Sequence, residues 1–110
     1  MMRTSVFALT VSTALLVVAA PLAAQDKAKA EAIFTSQKCT MCHSIAGKGN
    51  PKGSLDTVGA KLKPEEIRQW LVDPEGMREK SKATRTPAMK PTKLSKDQID
   101  TLVAYLQTLK

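Results

Sequence analysis

The chain has 110 residues and a formal net charge of +7; 43% of its residues are hydrophobic but only 4% are aromatic. Its two cysteines and single histidine are too few for a closed structural zinc site, which normally has four Cys or His ligands. The scarcity of aromatic side chains also argues against a nucleic-acid-binding protein, because such proteins stack bases on aromatic rings.

Residues 1–24 have the composition of a secretory signal peptide. Arg3 gives a basic start, residues 5–24 carry no charge, and small residues end the run. We expect cleavage after Ala24 and export to the periplasm or another extracytoplasmic compartment. An uncleaved anchor is the alternative, because a run of twenty uncharged residues can just span a bilayer. Pro21 and the alanine-rich end favour cleavage, after which no stable membrane insertion is expected.

Residues 25–110 are short enough to form one domain. Phe34, Trp70 and Tyr105 are the only aromatic residues in this part. The apolar core is therefore small and needs additional stabilisation from a covalent link or a bound group. No stretch has a convincing strand pattern, and the class is therefore all-α. The first helix is predicted over residues 25–37.

Residues 39–43 have the pattern C-x-x-C-H, which is typical of covalent haem attachment. Two thiols can add across the two vinyl groups of a haem, and the next residue can supply an imidazole for the iron. If the segment forms one helical turn, Cys39 and His43 share a face and Cys42 lies beside it. We predict one haem c, bound through both cysteines and ligated by His43.

Three other interpretations of this motif are weaker. A disulfide between its cysteines would close so short a loop that it would restrain little of the unfolded chain. A thioredoxin-like redox pair needs a βαβ setting, and no alternating strand pattern flanks the motif. A zinc site would lack a fourth ligand. Haem attachment is therefore the favoured interpretation.

The rest of the chain predicts two loops and two helices. Residues 43–63 contain four glycines and a proline, which indicates a long loop. A short helix follows from Pro64, at the position that proline favours, and stops at Pro74. Residues 76–87 have few apolar side chains and predict a mostly solvated loop. Residues 95–109 begin with a capping box and repeat apolar residues at helical spacing, so they predict the last helix.

This order of parts resembles a class I c-type cytochrome of the short bacterial kind, over residues 27–110. The resemblance is carried by the motif at 39–43, the glycine-rich loop, the segment 70–74, a methionine loop and the final helix. It implies a small cytochrome c-like fold of three main helices wrapped around one haem, and one-electron transfer rather than enzymatic catalysis. It also implies that Trp70 approaches the haem, and that Phe34 packs where the first helix crosses the last.

Met89 is the candidate for the second iron ligand, by elimination. His43 is the only histidine, Met41 lies inside the attachment turn, and the resemblance places Met77 at an apolar loop position. Met89 lies between two prolines, although Lys90 separates it from the second, where the family often has proline directly after the methionine. The alternative is that Met89 is a core residue. A thioether opposite an imidazole raises the reduction potential, and a filled sixth position favours electron transfer over a peroxidase or gas sensor.

The positive charge is concentrated in residues 76–96. Residues 25–110 contain 16 Lys and Arg against 10 Asp and Glu, a net charge of +6, and residues 76–96 alone carry +6. Because this segment includes Met89, we predict that acidic redox proteins dock near it; a merely solvated face is the alternative. The leading function is an electron shuttle between extracytoplasmic partners, and an electron-transfer subunit of a larger oxidoreductase complex is the alternative.

Overall fold

A computed structural model describes residues 14–16 and 22–110 of the chain. Within these residues the protein is mostly helical, which confirms the all-α class. None of the helices in this part is long and apolar enough to cross a membrane. The helices are α1 (Leu22–Ser36), α2 (Val58–Lys61), α3 (Pro64–Val72), α4 (Pro74–Ser81) and α5 (Lys96–Leu106).

The predicted signal peptide, residues 1–24, lies mostly outside the described residues, so its cleavage stays a prediction. Helix α1 begins at Leu22, upstream of the start predicted at residue 25.

The packing of α1 against α5 is the most extensive contact between helices in the described part of the chain. Ala30 is fully buried on α1, and Phe34 lies in one buried cluster with Leu102, Tyr105 and Leu106 of α5. This confirms the predicted crossing of the first and last helices. Each large apolar side chain buried there stabilises the fold by about 1.5–3 kcal/mol relative to its exposed state.

Helix α4 corrects the first half of the loop predicted over residues 76–87, whereas residues 82–87 do form a loop. Pro74 does end α3, but it also occupies the first position of α4, where its missing N–H costs nothing. The Asp73 side chain caps the new helix by accepting a hydrogen bond from the Gly76 N–H at 3.0 Å. Met77 is consequently a buried residue of a helix rather than of a loop.

A small antiparallel hairpin was also not predicted. Its strands are β1 (Ser44–Ile45) and β2 (Lys48–Gly49), with Ile45 paired to Lys48. The two turn residues both have positive φ, 50° at Ala46 and 79° at Gly47, as the tight turns of hairpins require. Strands of two residues are too short to show an alternating pattern in a sequence.

The capping box of α5 is confirmed. The Ser95 hydroxyl accepts from the Gln98 backbone N–H at 3.2 Å, and the Gln98 side chain accepts from the Ser95 N–H at 2.9 Å. The helix ends at Leu106 rather than at residue 109. Leu109 nevertheless packs against the core, and its carbonyl accepts a hydrogen bond from Gly59 at 2.7 Å.

Candidate haem-attachment site

The C-x-x-C-H motif forms a tight helical turn that directly follows α1. A 3-10 helix covers Cys39–Met41, and Lys38 before it has a positive φ of 58°, which reverses the chain after α1. The His43 N–H donates to the Cys39 carbonyl at 2.9 Å, an i to i−4 hydrogen bond. Cys39 and His43 are therefore one turn apart, as the spacing predicts.

The two thiols differ in their surroundings. Both cysteines are free; Cys39 is half-buried against the apolar core, whereas Cys42 is exposed. Burial is the main cause that raises the pKa of the Cys39 thiol, and the neighbouring Cys42 adds to the effect. The Cys39 thiol is consequently protonated at neutral pH.

The imidazole of His43 is oriented by the backbone of Gly53. Its Nδ1 atom lies 3.0 Å from the Gly53 carbonyl oxygen, which can only accept a hydrogen bond. Nδ1 must therefore carry the proton, and in the neutral ring Nε2 keeps its lone pair for a metal ion. Burial lowers the pKa of His43; the Gly53 hydrogen bond opposes this, and the positive charge of Arg85 assists it.

The loop that carries Gly53 is fastened to the attachment turn by Asn50. The Asn50 backbone N–H donates to the carbonyls of Thr40 and His43, and its side chain donates to the Met41 carbonyl at 3.1 Å. The same side chain accepts from the Lys52 N–H at 3.0 Å and so begins the 3-10 helix Pro51–Gly53. Asn50 thus sets the position of the carbonyl that orients His43.

Gly53 is buried at the point where three segments of the chain meet. A Cβ atom at this position would overlap with the Cys42 carbonyl oxygen and with the Arg85 guanidinium. Arg85 donates a 2.6 Å hydrogen bond to that same Cys42 carbonyl. Nothing in the sequence pattern indicated Asn50, Gly53 or Arg85 as site residues, because the contacts that tie them to Met41, His43 and Cys42 span 9, 10 and 43 residues of the chain.

Met89 and Trp70 occupy partly buried positions. Met89 packs against the same apolar core as Cys39. It also lines an open groove of about 660 Å³ between α4 and residues 87–91. Trp70 is half-buried on α3, between the buried Ile67 and Leu71, and does not belong to the buried cluster. The structure therefore places Cys39, Cys42 and His43 in one turn. Met89 packs against the same apolar core that Cys39 contacts.

The positive segment 76–96 presents most of its lysines to solvent. Lys80, Lys82, Lys90 and Lys93 are exposed, and Lys96 pairs with Asp100 at 3.2 Å. Five charged side chains line the groove beside Met89. Three are positive, namely Arg78 and the exposed Lys82 and Lys90, and two are negative, Glu75 and Glu79.

The donor atoms available here suit a covalently attached haem. The turn offers two free thiols, which can form thioether bonds, and an imidazole with an oriented Nε2 lone pair. Met89 adds a thioether, a common partner of histidine on haem iron. Over residues 14–16 and 22–110, no three side chains of His, Cys, Asp or Glu gather as metal ligands.

Comparison with known proteins identified one family. The family model described as Cytochrome c matches residues 27–110, which is more than half of the chain. Searches of curated proteins and of solved structures gave no match.

Proposed function

The chain belongs to the cytochrome c family, and we propose that it shuttles single electrons between redox proteins outside the cytoplasm. As a member of this family it is a haem-based electron carrier with one covalent haem c. The haem supplies an iron that alternates between the ferric and ferrous states. The proposal rests above all on the His43–Gly53 hydrogen bond, which presents Nε2 as a ligand beside two free thiols.

Cys39 and Cys42 are the proposed points of covalent attachment. Their thiols stand on the same tight turn as His43, so attachment through both would fix the imidazole relative to the macrocycle. The hydrogen bond to Gly53 then holds the imidazole in one tautomer and makes Nε2 a stronger electron donor.

Met89 is the proposed ligand on the opposite side of the iron. Its half-buried position against the core supports a fixed thioether. A thioether ligand favours the ferrous state and raises the reduction potential. With His43 and Met89 both bound, no coordination position stays open for oxygen or peroxide, which favours electron transfer over catalysis.

Trp70 is proposed to contact the haem from α3. Its half-buried indole has an apolar body and one N–H donor, which suits the boundary between a buried macrocycle and solvent. A propionate oxygen is the expected acceptor of that N–H.

The proposed partners are redox proteins with acidic docking surfaces. Exposed lysines of residues 76–96 flank Met89 in the sequence, and two of them, Lys82 and Lys90, line the groove beside it. Charge complementarity raises association rates without requiring a tight complex, and brief encounters suit a shuttle better than a permanent subunit. The predicted signal peptide, residues 1–24, accounts for the location outside the cytoplasm.

A redox titration of the holoprotein tests this function. We expect one reversible transition with the slope of a single electron, and rapid oxidation by a small acidic redox protein. Steady reduction of peroxide by the wild-type protein would instead indicate an enzyme, and co-purification in a stable complex from its native source would indicate a subunit.

A further inference from the structure

Two side-chain hydrogen bonds fasten the segment that contains Met89, one on each side of it. We call residues 85–92 the methionine segment. Upstream of Met89, Arg85 donates to the Cys42 carbonyl at 2.6 Å. Downstream, the Thr92 hydroxyl donates to the Leu71 carbonyl at 3.0 Å. The segment is therefore attached at one end to the haem-attachment turn and at the other end to α3.

The Arg85 contact is a charge-assisted hydrogen bond to a fixed acceptor. A guanidinium donor makes a shorter and stronger bond than a neutral donor does. The acceptor belongs to Cys42, whose own N–H is bonded to the Cys39 carbonyl at 3.1 Å within the tight turn. The guanidinium also lies directly on the buried Gly53, where a Cβ atom would displace it. Arg85 therefore joins the methionine segment to the haem-attachment turn.

The Thr92 contact uses a carbonyl at a helix end. Leu71 lies in the last turn of α3, which ends at Val72, and the last carbonyls of a helix lack partners within the helix. The Thr92 hydroxyl supplies one. This bond holds the downstream end of the methionine segment against α3, the helix that carries Trp70.

Apart from these two bonds, the described structure restrains this segment mainly through the packing of Met89 against the apolar core. Residues 83–95 contain no helix or strand, and Met89 borders the open groove of about 660 Å³ on one side. Pro87 and Pro91 stiffen the backbone but make no attachment to other segments by themselves. The two side-chain hydrogen bonds are thus the specific attachments of an otherwise irregular segment.

We propose that Arg85 and Thr92 are positioning residues that hold the Met89 thioether at the iron and set how readily another ligand displaces it. This inference rests on the proposed role of Met89 as the sixth ligand. Arg85 has the larger effect, because its donor is charged and its acceptor lies on the attachment turn itself.

Imidazole binding to the ferric holoprotein measures this displacement directly, because imidazole must replace the methionine at the iron. Arg85→Gln should tighten imidazole binding by about tenfold, the effect of one lost charge-assisted hydrogen bond at a partly solvated site. Thr92→Val, which keeps the side-chain shape, should tighten it by about threefold. Arg85→Lys should fall between wild type and Arg85→Gln, because lysine can donate only as a point charge.

Lys93→Gln is the matched control, since it removes one positive charge from the same exposed region without breaking either hydrogen bond. It should leave imidazole binding within twofold of wild type. Equal tightening by Lys93→Gln and Arg85→Gln would show a general charge effect and overturn the proposal. The proposal would also be overturned if Arg85→Gln and Thr92→Val bound imidazole with the same affinity as the wild type.

A Met89→Ala background separates this inference from the assignment of Met89. If Met89 is the ligand, Met89→Ala alone should tighten imidazole binding strongly, and adding Arg85→Gln should then change it by less than about twofold. If Met89→Ala leaves imidazole binding unchanged, the ligand assignment fails. If the Arg85→Gln effect persists in full in the Met89→Ala background, the positioning role fails while the assignment stands.

Discussion

The Nδ1 atom of His43 lies 3.0 Å from the carbonyl oxygen of Gly53, a residue that is buried against the Cys42 carbonyl and the Arg85 guanidinium. One glycine thus supplies the acceptor that orients the proposed iron ligand and leaves the space in which the attachment turn and the methionine segment meet. A larger side chain at this position would disturb both functions.

Gly53→Ala should therefore destabilise the holoprotein by about 1–3 kcal/mol, the usual cost of inserting a methyl group into a packed site. It should also change the absorption spectrum of the ferric haem, because His43 would lose its orientation. Denaturant unfolding and visible spectroscopy measure the two effects. Gly47→Ala is the control: apart from the neighbouring residues in the chain, no atom lies within 4 Å of its Cβ position, and its φ of +79° predicts strain of about 1 kcal/mol without a spectral change. A normal spectrum and stability in Gly53→Ala would contradict this view of the site.

The fold should depend on haem attachment. Replacing Cys39 and Cys42 together with serine should give a protein that melts with little cooperativity, because a domain of this size buries too little apolar surface alone. Calorimetry of the double variant tests this expectation. A sharp melting transition in the haem-free double variant would show that the cluster around α1 and α5 is sufficient by itself.

Replacing Met89 with alanine should have a different effect from replacing Met77 with alanine. Met89→Ala should lower the reduction potential and alter the spectrum of the oxidised protein, because it removes the proposed thioether ligand. Met77→Ala should instead cost about 2–5 kcal/mol in stability, since Met77 is buried in α4, and should leave the ligand spectrum unchanged. A potentiometric titration and a denaturation curve for each variant separate the two roles. The reverse result would move the ligand assignment to Met77.

The ion pair between α3 and α5 should make a pH-dependent contribution to stability. Arg68 donates to Asp100 at 2.6 Å and Lys96 donates to it at 3.2 Å, and these hydrogen bonds lower the pKa of the Asp100 carboxyl. Because the folded pKa is depressed, the contribution is present above the ordinary carboxyl pKa and is lost as pH falls through the folded value.

Asp100→Asn should accordingly lower the melting temperature slightly at pH 7, and the difference from wild type should shrink as the pH falls into the acid range. The effect should be small because both side chains are partly exposed. In an Arg68→Gln background, Asp100→Asn should have a still smaller effect. A difference between wild type and Asp100→Asn that is constant with pH would argue against this pair as its source.

The exposed lysines near Met89 should control the rate of electron transfer. Transfer to an acidic acceptor should slow by roughly tenfold as the Debye length falls from about 30 Å at 0.01 M salt to about 10 Å at 0.1 M. Changing Lys82 and Lys93 to glutamate should flatten this dependence. The same two-charge reversal at Lys29 and Lys110, which are exposed outside residues 76–96, is the control and should have a smaller effect. Equal effects of the two pairs would indicate that net charge, rather than a docking surface, sets the rate.

Local sequence patterns predict the elements whose structure depends mainly on residues close together in the chain. The capping box of Ser95 and Gln98 and the apolar spacing after it predict α5, and the spacing of Cys39 and His43 predicts one helical turn. Helix α4 was missed although its signals are present: Asp73 as the cap, Pro74 in the first position and Glu75 in the first turn. The loop predicted over residues 76–87 uses Pro74 only as the end of the preceding helix, because proline ends one helix as readily as it begins another.

The remainder of the site depends on contacts between distant segments. Gly53 orients His43 through a backbone carbonyl, a group that every residue has, so the identity of the residue did not reveal the role. Arg85 contacts a carbonyl 43 residues earlier in the chain. In the sequence it appeared only as one of seven positive charges in residues 76–96. Such contacts follow from the packing of the loops and have no local periodicity from which they could be predicted.

The most direct test of the proposed ligation by His43 and Met89 is the visible spectrum of the reduced protein before and after exposure to carbon monoxide. With both axial positions filled, the spectrum should be that of six-coordinate ferrous haem, and carbon monoxide should leave it unchanged. Met89→Ala should bind carbon monoxide readily under the same conditions. An immediate spectral shift of the wild-type protein would show an open sixth position and would contradict the proposed ligation.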